Sequence, residues 1–152
     1  MKNFNINVDD NAIVSASSNI LIDADSQTVM KVLSDIKNWT AWRSDINYVR
    51  VKSNYPIKEN SQFVWKSNGL TYKSTVHTCT SHLFGWTGKT IGAFAIHNWQ
   101  LTDEGNQTRV QVAESLSGIA IRLMRNGMKS NLPKLMVKDL TDLKLRGEIA
   151  KS

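Results

Sequence analysis

The sequence predicts an α+β fold in which a curved antiparallel sheet of seven strands wraps around one long C-terminal helix, with two short helices after the first strand. Three observations predict this arrangement. Apolar residues recur with a period of two from residue 46 to residue 116, turn signals divide that stretch into short strands, and apolar residues at helical spacing follow it. Consecutive strands joined by short turns form an antiparallel meander, and a single amphipathic helix can cover its apolar face.

The first elements lie before this meander. Residues 13–22 are predicted to form a strand, which ends at Asp23–Ser26, a cluster whose side chains suit the N-cap of a helix. A short helix follows, with four apolar residues at helical spacing: Val29, Val32, Leu33 and Ile36. Residues 38–43 are predicted to add one more helical turn.

Six further strands are predicted in the meander, over residues 46–53, 61–67, 70–79, 82–88, 93–101 and 107–116. Asn68 and Gly69 form the dipeptide that most strongly indicates a two-residue hairpin turn. Residues 89–92 and 103–106 fit four-residue hairpin loops. These turn lengths determine which residues of neighbouring strands lie opposite each other.

The resulting pairs agree on one inner face of the sheet. They place Glu114 opposite Ala95 and therefore diagonal to His97, within reach of a long side chain. This face holds most of the large apolar residues, so we take it as the buried one. Its members are Phe63, Trp65, Tyr72, Ser74, Val76, Phe84, Trp86, Ala95, His97, Trp99, Leu101, Val110, Val112 and Glu114. The other face is predicted to meet solvent; it carries His77 and Cys79, and we expect Cys79 to be inert.

The last predicted helix includes residues 128–148 and buries one apolar stripe. The stripe consists of Ile121, Met124, Met128, Leu132, Leu135, Met136, Leu140 and Leu143. Gly127 and Pro133 interrupt the pattern, so we expect a kink or a broken start.

Basic residues are concentrated in the same final segment. The formal net charge is +6, yet residues 1–116 hold 11 basic and 10 acidic residues, whereas residues 117–152 hold 8 and 3. The excess is explained either by a solvated outer helix face or by a docking surface for anionic lipid or an acidic partner. The segment has no aromatic residue on which a base could stack, so nucleic acid is not the expected partner.

Length and composition restrict the possible classes further. The 152 residues suit one domain, with a core over about residues 12–148. No apolar run is long enough to cross a membrane and the N-terminus lacks a signal-peptide core, so the cytoplasm is the expected location. The single cysteine excludes an internal disulfide, and the three histidines fall on different faces. We therefore expect no metal site and no cofactor; the oligomeric state is left open.

The inner face mixes large rings with small residues, which suits a cavity; the alternative is a core that the helix and the tryptophans fill. Pockets are mostly apolar with a few placed polar groups, and here those groups are Tyr72, Ser74, His97 and Glu114. His97 and Glu114 are the candidate catalytic residues, since an imidazole and a carboxylate could move a proton on a bound carbonyl compound. The alternative is a satisfied polar pair that anchors a ligand or a helix end.

Several motifs, in their order and spacing, resemble the SRPBCC superfamily of START-like helix-grip proteins, and more narrowly the polyketide cyclase/dehydrase and lipid-transport family. The resemblance covers roughly residues 12–148. Its carriers are Trp39-x-x-Trp42, Phe63-x-Trp65 with Gly69, Phe84-Gly85-Trp86-Thr87-Gly88, Gly92 with His97-x-Trp99-x-Leu101, Thr108-Arg109-Val110 leading to Glu114 and Gly118, and Leu140-x-x-Leu143-Lys144 with Glu148.

The resemblance implies a helix-grip fold with a deep hydrophobic cavity between the sheet and the C-terminal helix. Family members bind lipids, polyketides, sterols, quinones or plant hormones, and some catalyse cyclisation or dehydration. Five positions match the family motifs and also face inward: Trp65, Trp86, His97, Trp99 and Glu114. Four more residues complete the predicted ligand-binding set: Tyr72, Ser74, Met124 and Met128. The family has no universal catalytic residue to transfer.

Three functions are consistent with these observations, because a fold of this kind does not determine function. The first is a non-catalytic carrier or sensor of a small hydrophobic molecule, with the basic final helix as a membrane docking surface. The second is a small cyclase or dehydratase that uses His97 and Glu114. The third is a protein-interaction module with a filled core.

Overall fold

The computed structural model describes residues 3–151. Its centre is a seven-stranded antiparallel sheet in the order β1-β7-β6-β5-β4-β3-β2. The strands are β1 Val14–Ile22, β2 Tyr48–Val51, β3 Gln62–Ser67, β4 Leu70–Cys79, β5 Leu83–Thr90, β6 Ala93–Glu104 and β7 Gln107–Ser117. β1 and β2 are the two edges, so the sheet stays open, and the predicted strand number and fold class are confirmed.

The helices stand where the sequence predicts them. They are α1 Ser26–Ser34, a 3-10 helix Ile36–Ala41, α2 Ile119–Leu123 and α3 Arg125–Ala150. The Asp25 carboxylate accepts a hydrogen bond from the Thr28 amide at 2.7 Å, which caps α1. The broken start of the last helix is confirmed, but the break lies at Met124 and not at Gly127 or Pro133. Pro133 is exposed and lies inside α3, which continues through it.

One of the three predicted hairpin registers is confirmed. The turn at Asn68 and Gly69 places Trp65 opposite Tyr72. The other two turns have two residues and not four, because β5 and β6 extend further than the apolar alternation indicates. Gly92 and Gly105 supply the positive φ angles, 71° and 65°, that such tight turns require. Each register therefore moves by two residues, which keeps every side chain on its predicted face but changes its partner.

The prediction that His77 and Cys79 face solvent is wrong. The register of β4 against β5 shifts between Val76 and Thr78, and this bulge turns Cys79 to the inner face, opposite Phe84, where it packs against the core. Burial raises the pKa of the Cys79 thiol, which fits the expected inert cysteine. His77 stays on the outer face but is buried, because the segment around Phe4 lies over it.

A network of hydrogen bonds holds that N-terminal segment on the sheet. His77 contacts the Thr78 hydroxyl through Nδ1 at 2.8 Å and the Asn98 side-chain oxygen through Nε2 at 3.0 Å. The backbone N–H of Asn5 donates to the Thr78 hydroxyl at 2.9 Å, and Asn98 Nδ2 donates to the Ile6 carbonyl at 2.9 Å. The outer face of β4 and β6 is therefore covered at this point.

The inner face of the sheet and one side of α3 form the hydrophobic core. Leu132, Met136, Leu140 and Leu143 are the buried apolar residues of α3. Its C-terminal half is fixed to β1, since Lys144 Nζ donates to the carbonyl of Leu21 at 3.1 Å. The N-terminal half of α3 and α2 lie over the other end of the sheet, and a space remains there.

Candidate ligand-binding cavity

A cavity of about 230 Å³ lies between the inner face of the sheet and the helical segment α2–α3. The sheet contributes residues of β3 to β7 to its wall, and the helices contribute Ile121, Met124, Met128, Leu132 and Met136. A water molecule occupies roughly 30 Å³ in the liquid, so this space exceeds that of a few waters. The interior is therefore not filled, which argues against an interaction module with a solid core.

The cavity reaches the surface at its mouth, which we define by Leu70, Ile91 and Met124. These residues line the cavity and are also 44%, 90% and 60% exposed. The turn that carries Ile91 is attached to α2, because the Ala120 amide donates to the Gly92 carbonyl at 2.9 Å. A side chain at Gly118 would collide with that same carbonyl oxygen, so the close approach of turn and helix requires glycine there.

Seven of the nine predicted binding residues lie in the cavity wall: Trp65, Tyr72, Trp86, His97, Glu114, Met124 and Met128. The other two are buried outside it. Ser74 lies behind Trp65 and accepts a hydrogen bond from its Nε1 at 3.0 Å. Trp99 lies behind His97, with ring centroids 5.4 Å apart and planes 16° apart. A role in binding stays a prediction for all nine.

His97 and Glu114 form a pair in the cavity wall. They lie directly opposite each other on β6 and β7, and not diagonally, because the turn at Gly105 is shorter than predicted. His97 Nδ1 donates to Glu114 Oε1 at 2.5 Å. The imidazole packs against Trp86 and Trp99, with centroids 4.5 Å and 5.4 Å away and planes 11° and 16° from its own, so both neighbours restrict its orientation. Nε2 is buried and has no hydrogen-bond partner within the described residues.

The tautomer of His97 follows from this contact. A carboxylate only accepts hydrogen bonds, so Nδ1 carries a proton and Nε2 of the neutral ring is an acceptor. If the ring is protonated, Nε2 becomes a donor. The pair can therefore exchange a proton through Nε2 with a group bound beside it, or can simply bind a hydroxyl or carbonyl group.

A second polar cluster in the cavity wall was missed by the sequence analysis. Arg43 is buried, with 3% of its side chain exposed, although it lies in the loop that follows the 3-10 helix. Its Nη2 lies 3.2 Å from Asp139 Oδ2 on α3 and 3.6 Å from Asp45 Oδ2. The guanidinium carbon lies 4.9 Å above the Trp39 ring, a cation–π contact.

The sequence does contain a signal for this cluster. Asp139 falls among the apolar residues of the α3 stripe, between Met136 and Leu143, where a carboxylate would be buried. A buried carboxylate needs a cationic partner. Burial raises the pKa of Asp139, and the neighbouring Arg43 charge opposes that rise without overcoming it. The partner itself cannot be read from the sequence, since Arg43 is distant along the chain.

Tyr72 completes the polar side of the wall. Its ring stacks on Trp65 with centroids 4.3 Å apart and planes 16° apart. Burial and the negative charge of Glu114 raise the pKa of the Tyr72 phenol, so it is a neutral hydrogen-bonding group.

Solved structures share this fold over almost their whole length. A hypothetical protein from Helicobacter pylori superposes with a TM-score of 0.82 at 15% identity and covers 97% of both chains. A START superfamily protein from Mycobacterium smegmatis gives 0.78 at 14% identity, covering 89% of this chain and 97% of its own. The Zhui aromatase/cyclase from Streptomyces sp. R1128 gives 0.78 at 10% identity, covering 88% and 93%. At such identities the likeness shows the fold alone.

Two further comparisons use the sequence, and one further observation concerns the length and composition of the helices. No curated protein matches the chain. Within residues 3–151, no helix has both the length and the apolar composition that crossing a bilayer requires. The sequence model of the family described as polyketide cyclase/dehydrase and lipid transport matches residues 14–148, which run from the first residue of β1 almost to the end of α3. The chain therefore belongs to the polyketide cyclase/dehydrase and lipid transport family.

Proposed function

We propose that this chain binds a small, mainly apolar molecule in the cavity and carries or senses it. The observation that supports this most directly is the cavity itself, about 230 Å³ of space whose wall is mainly apolar and includes tryptophan, leucine, methionine and alanine side chains. Moving apolar surface out of water contributes about 25 cal/mol per Å², so an apolar molecule gains by entering. The family description, which includes lipid transport, supports the same proposal.

The size of the cavity restricts the ligand. Pockets for small molecules usually measure about 300–1,000 Å³, and this one, at about 230 Å³, lies below that range. The ligand is therefore a compact ring system or a longer molecule that projects through the mouth. Met124 and Met128 lie along the exit, and methionine side chains adapt readily to different shapes.

Native mass spectrometry of the purified protein, followed by denaturing extraction, tests this proposal. We expect a retained apolar compound, released on denaturation. The contrary result is a protein that carries no compound and also binds no added apolar fluorophore, because a cavity of this composition would accept at least one of them.

A second candidate is an enzyme that moves a proton on a bound carbonyl compound. The observation that favours it is the free Nε2 of His97, whose opposite nitrogen is held by Glu114. Proton transfer would appear as exchange of the α-hydrogens of a methyl ketone with solvent deuterium, followed by NMR. Exchange that is lost in both His97→Ala and Glu114→Gln, while binding persists, would support this candidate. Equal exchange in all three proteins would eliminate it.

We further propose that the carrier exchanges its ligand at an anionic membrane. We assign the proposed docking surface to the beginning of the basic segment and not to the whole helix. Lys138 and Lys144 each pair with a carboxylate one turn further along α3, at 3.3 Å and 2.5 Å. By contrast, Arg122 and Arg125 are exposed beside Leu123, which is 82% exposed. Residues 115–138 contain no Asp or Glu. A cytoplasmic location stays a prediction from the sequence.

A further inference from the structure

We propose that the Arg43 guanidinium holds the polar end of the ligand, and that this end carries a neutral acceptor oxygen such as a ketone. This inference rests on the proposed function and specifies the ligand class. Arg43 lies in the cavity wall and is almost completely buried. It is thus placed to bind a polar group of the ligand, which apolar contacts alone could not tell from a hydrocarbon group.

The distribution of unsatisfied polar atoms supports this assignment. Among the described residues, five buried side-chain atoms have no hydrogen-bond partner: Arg43 Nε and Nη1, Asp45 Oδ1, His97 Nε2 and Trp99 Nε1. Four of these five atoms belong to residues that line the cavity. Buried polar groups in native proteins are nearly always paired with protein, water or ligand. Unpaired atoms gathered around one cavity therefore point to its occupant.

The geometry of Arg43 indicates what the occupant offers. A guanidinium has five N–H donors and no acceptor. Nη2 is directed to Asp139 at 3.2 Å, while Nε and Nη1 are left without a partner. Two neighbouring N–H groups can share one oxygen or bind two. The ligand group beside Arg43 must therefore accept hydrogen bonds.

The charges around Arg43 indicate that this group is neutral. Asp45 and Asp139 both lie within 3.6 Å of the guanidinium, and Lys138 Nζ, 3.9 Å from Asp45 Oδ1, adds no excess positive charge because Asp142 pairs with it at 3.3 Å. Glu114 is a third carboxyl group in the same wall. A ligand carboxylate would meet these groups in a site of low dielectric, where like charges repel strongly. A ketone or other carbonyl oxygen accepts the same hydrogen bonds without that cost.

Three probes of similar shape test the assignment: methyl naphthyl ketone, ethylnaphthalene and naphthoate. Each is titrated by displacement of a fluorophore from the wild type, from Arg43→Met and from Arg43→Lys, which keeps the charge but removes the planar donors. We expect the ketone to lose about tenfold in affinity in both variants, with ethylnaphthalene changing less than twofold. We also expect naphthoate to bind the wild type more weakly than the ketone. For the ketone and the hydrocarbon, comparing each probe with itself across the three proteins cancels differences in water solubility.

His97→Phe tests the competing assignment, since it removes the other unpaired nitrogen of the wall and keeps a ring, and Thr102→Phe, at an exposed position of β6 outside the cavity wall, is the control that should leave all three affinities unchanged. Arg43→Met leaves the buried Asp139 without its partner, so Arg43→Lys and Asp139→Asn carry the test if it does not fold. Equal losses for ketone and hydrocarbon in the Arg43 variants, or a loss for the ketone only in His97→Phe, would overturn the assignment and indicate that water satisfies Arg43. Absence of binding for every probe would instead overturn the proposed function itself.

Discussion

His97 Nδ1 and Glu114 Oε1 lie 2.5 Å apart in the cavity wall, and the two residues face each other directly across β6 and β7. The imidazole packs against Trp86 and Trp99, whose ring centroids lie 4.5 Å and 5.4 Å away, and these contacts restrict its rotation away from Glu114. Its other nitrogen, Nε2, is buried and has no hydrogen-bond partner within the described residues. The pair is a largely buried, hydrogen-bonded polar feature of the cavity wall, whether it binds a ligand or moves a proton.

This geometry predicts different costs for two substitutions at Glu114. Glu114→Ala leaves the buried Nδ1–H of His97 without an acceptor, which costs about 1–3 kcal/mol of the free energy of unfolding. Glu114→Gln keeps an acceptor oxygen at the same position and is expected to cost less than half as much. Urea denaturation of the two variants measures the difference. Equal costs would show that the hydrogen bond contributes nothing to stability.

The buried His77 predicts a loss of stability in weak acid. Burial lowers the pKa of His77, and the opposing effects of the hydrogen bond to Asn98 and of the Glu59 charge do not reverse this. In the unfolded chain the same histidine binds a proton near pH 6.5. Below that pH the unfolded state therefore takes up more protons, and stability falls by up to about 1.4 kcal/mol per pH unit until the folded pKa is reached.

Thermal unfolding between pH 7.5 and 5 checks this slope. The control is His77→Gln, which keeps polar contacts and cannot titrate. The variant should show a flatter dependence over the same interval. A slope identical to that of the wild type would assign the acid sensitivity to other groups.

One substitution, glycine to alanine, is expected to have opposite effects at two positions. A Cβ at Gly85 would lie 2.5 Å from His77 Cε1 and 2.6 Å from Asn98 Oδ1, so Gly85→Ala must displace this hydrogen-bonded pair. We expect a cost of about 1–3 kcal/mol. At Gly127, inside α3, nothing lies within 4 Å of the added Cβ, and Gly127→Ala should stabilise by about 0.5–1 kcal/mol through higher helix propensity. Chemical denaturation of both variants tests the two signs.

Membrane exchange predicts salt-sensitive binding to vesicles that contain phosphatidylserine. Arg122 and Arg125 supply the charge attraction, which salt screens, and Leu123 supplies apolar surface. Leu123→Ser should weaken sedimentation with the vesicles several-fold. Leu145→Ser is the control, because Leu145 is also exposed, at 59%, but lies in the half of α3 away from the mouth. Equal effects of the two substitutions, or binding that does not depend on salt, would argue against docking through the mouth.

The sequence predicted the faces of the sheet well and the pairing of its residues less well. Alternation along a strand is local, so the inward direction of Trp86, His97 and Glu114 follows from the sequence alone. The register depends on turn length, and the two glycine turns were predicted two residues too long. That error preserved every face, but it placed Glu114 opposite Ala95 when its partner is His97.

Two features depend on contacts that no local pattern contains. His77 lies on the outer face as its position in β4 suggests, yet it is buried because the segment around Asn5 crosses the sheet there. Arg43 is buried because Asp139 approaches it from α3, late in the chain. Long-range contacts of this kind decide which polar residues reach the cavity, and they are the part of the site that the sequence did not reveal.

Filling the cavity tests the central claim most directly. Ala95 lies in the cavity wall on β6, so Ala95→Phe places a ring in the space proposed for the ligand. Thr102→Phe is the matched control, since Thr102 is exposed on the same strand. Titration with an apolar fluorophore should give at least tenfold weaker binding in Ala95→Phe and unchanged binding in Thr102→Phe, with both variants folded by circular dichroism. Unchanged binding in Ala95→Phe would contradict the claim that the ligand occupies this cavity.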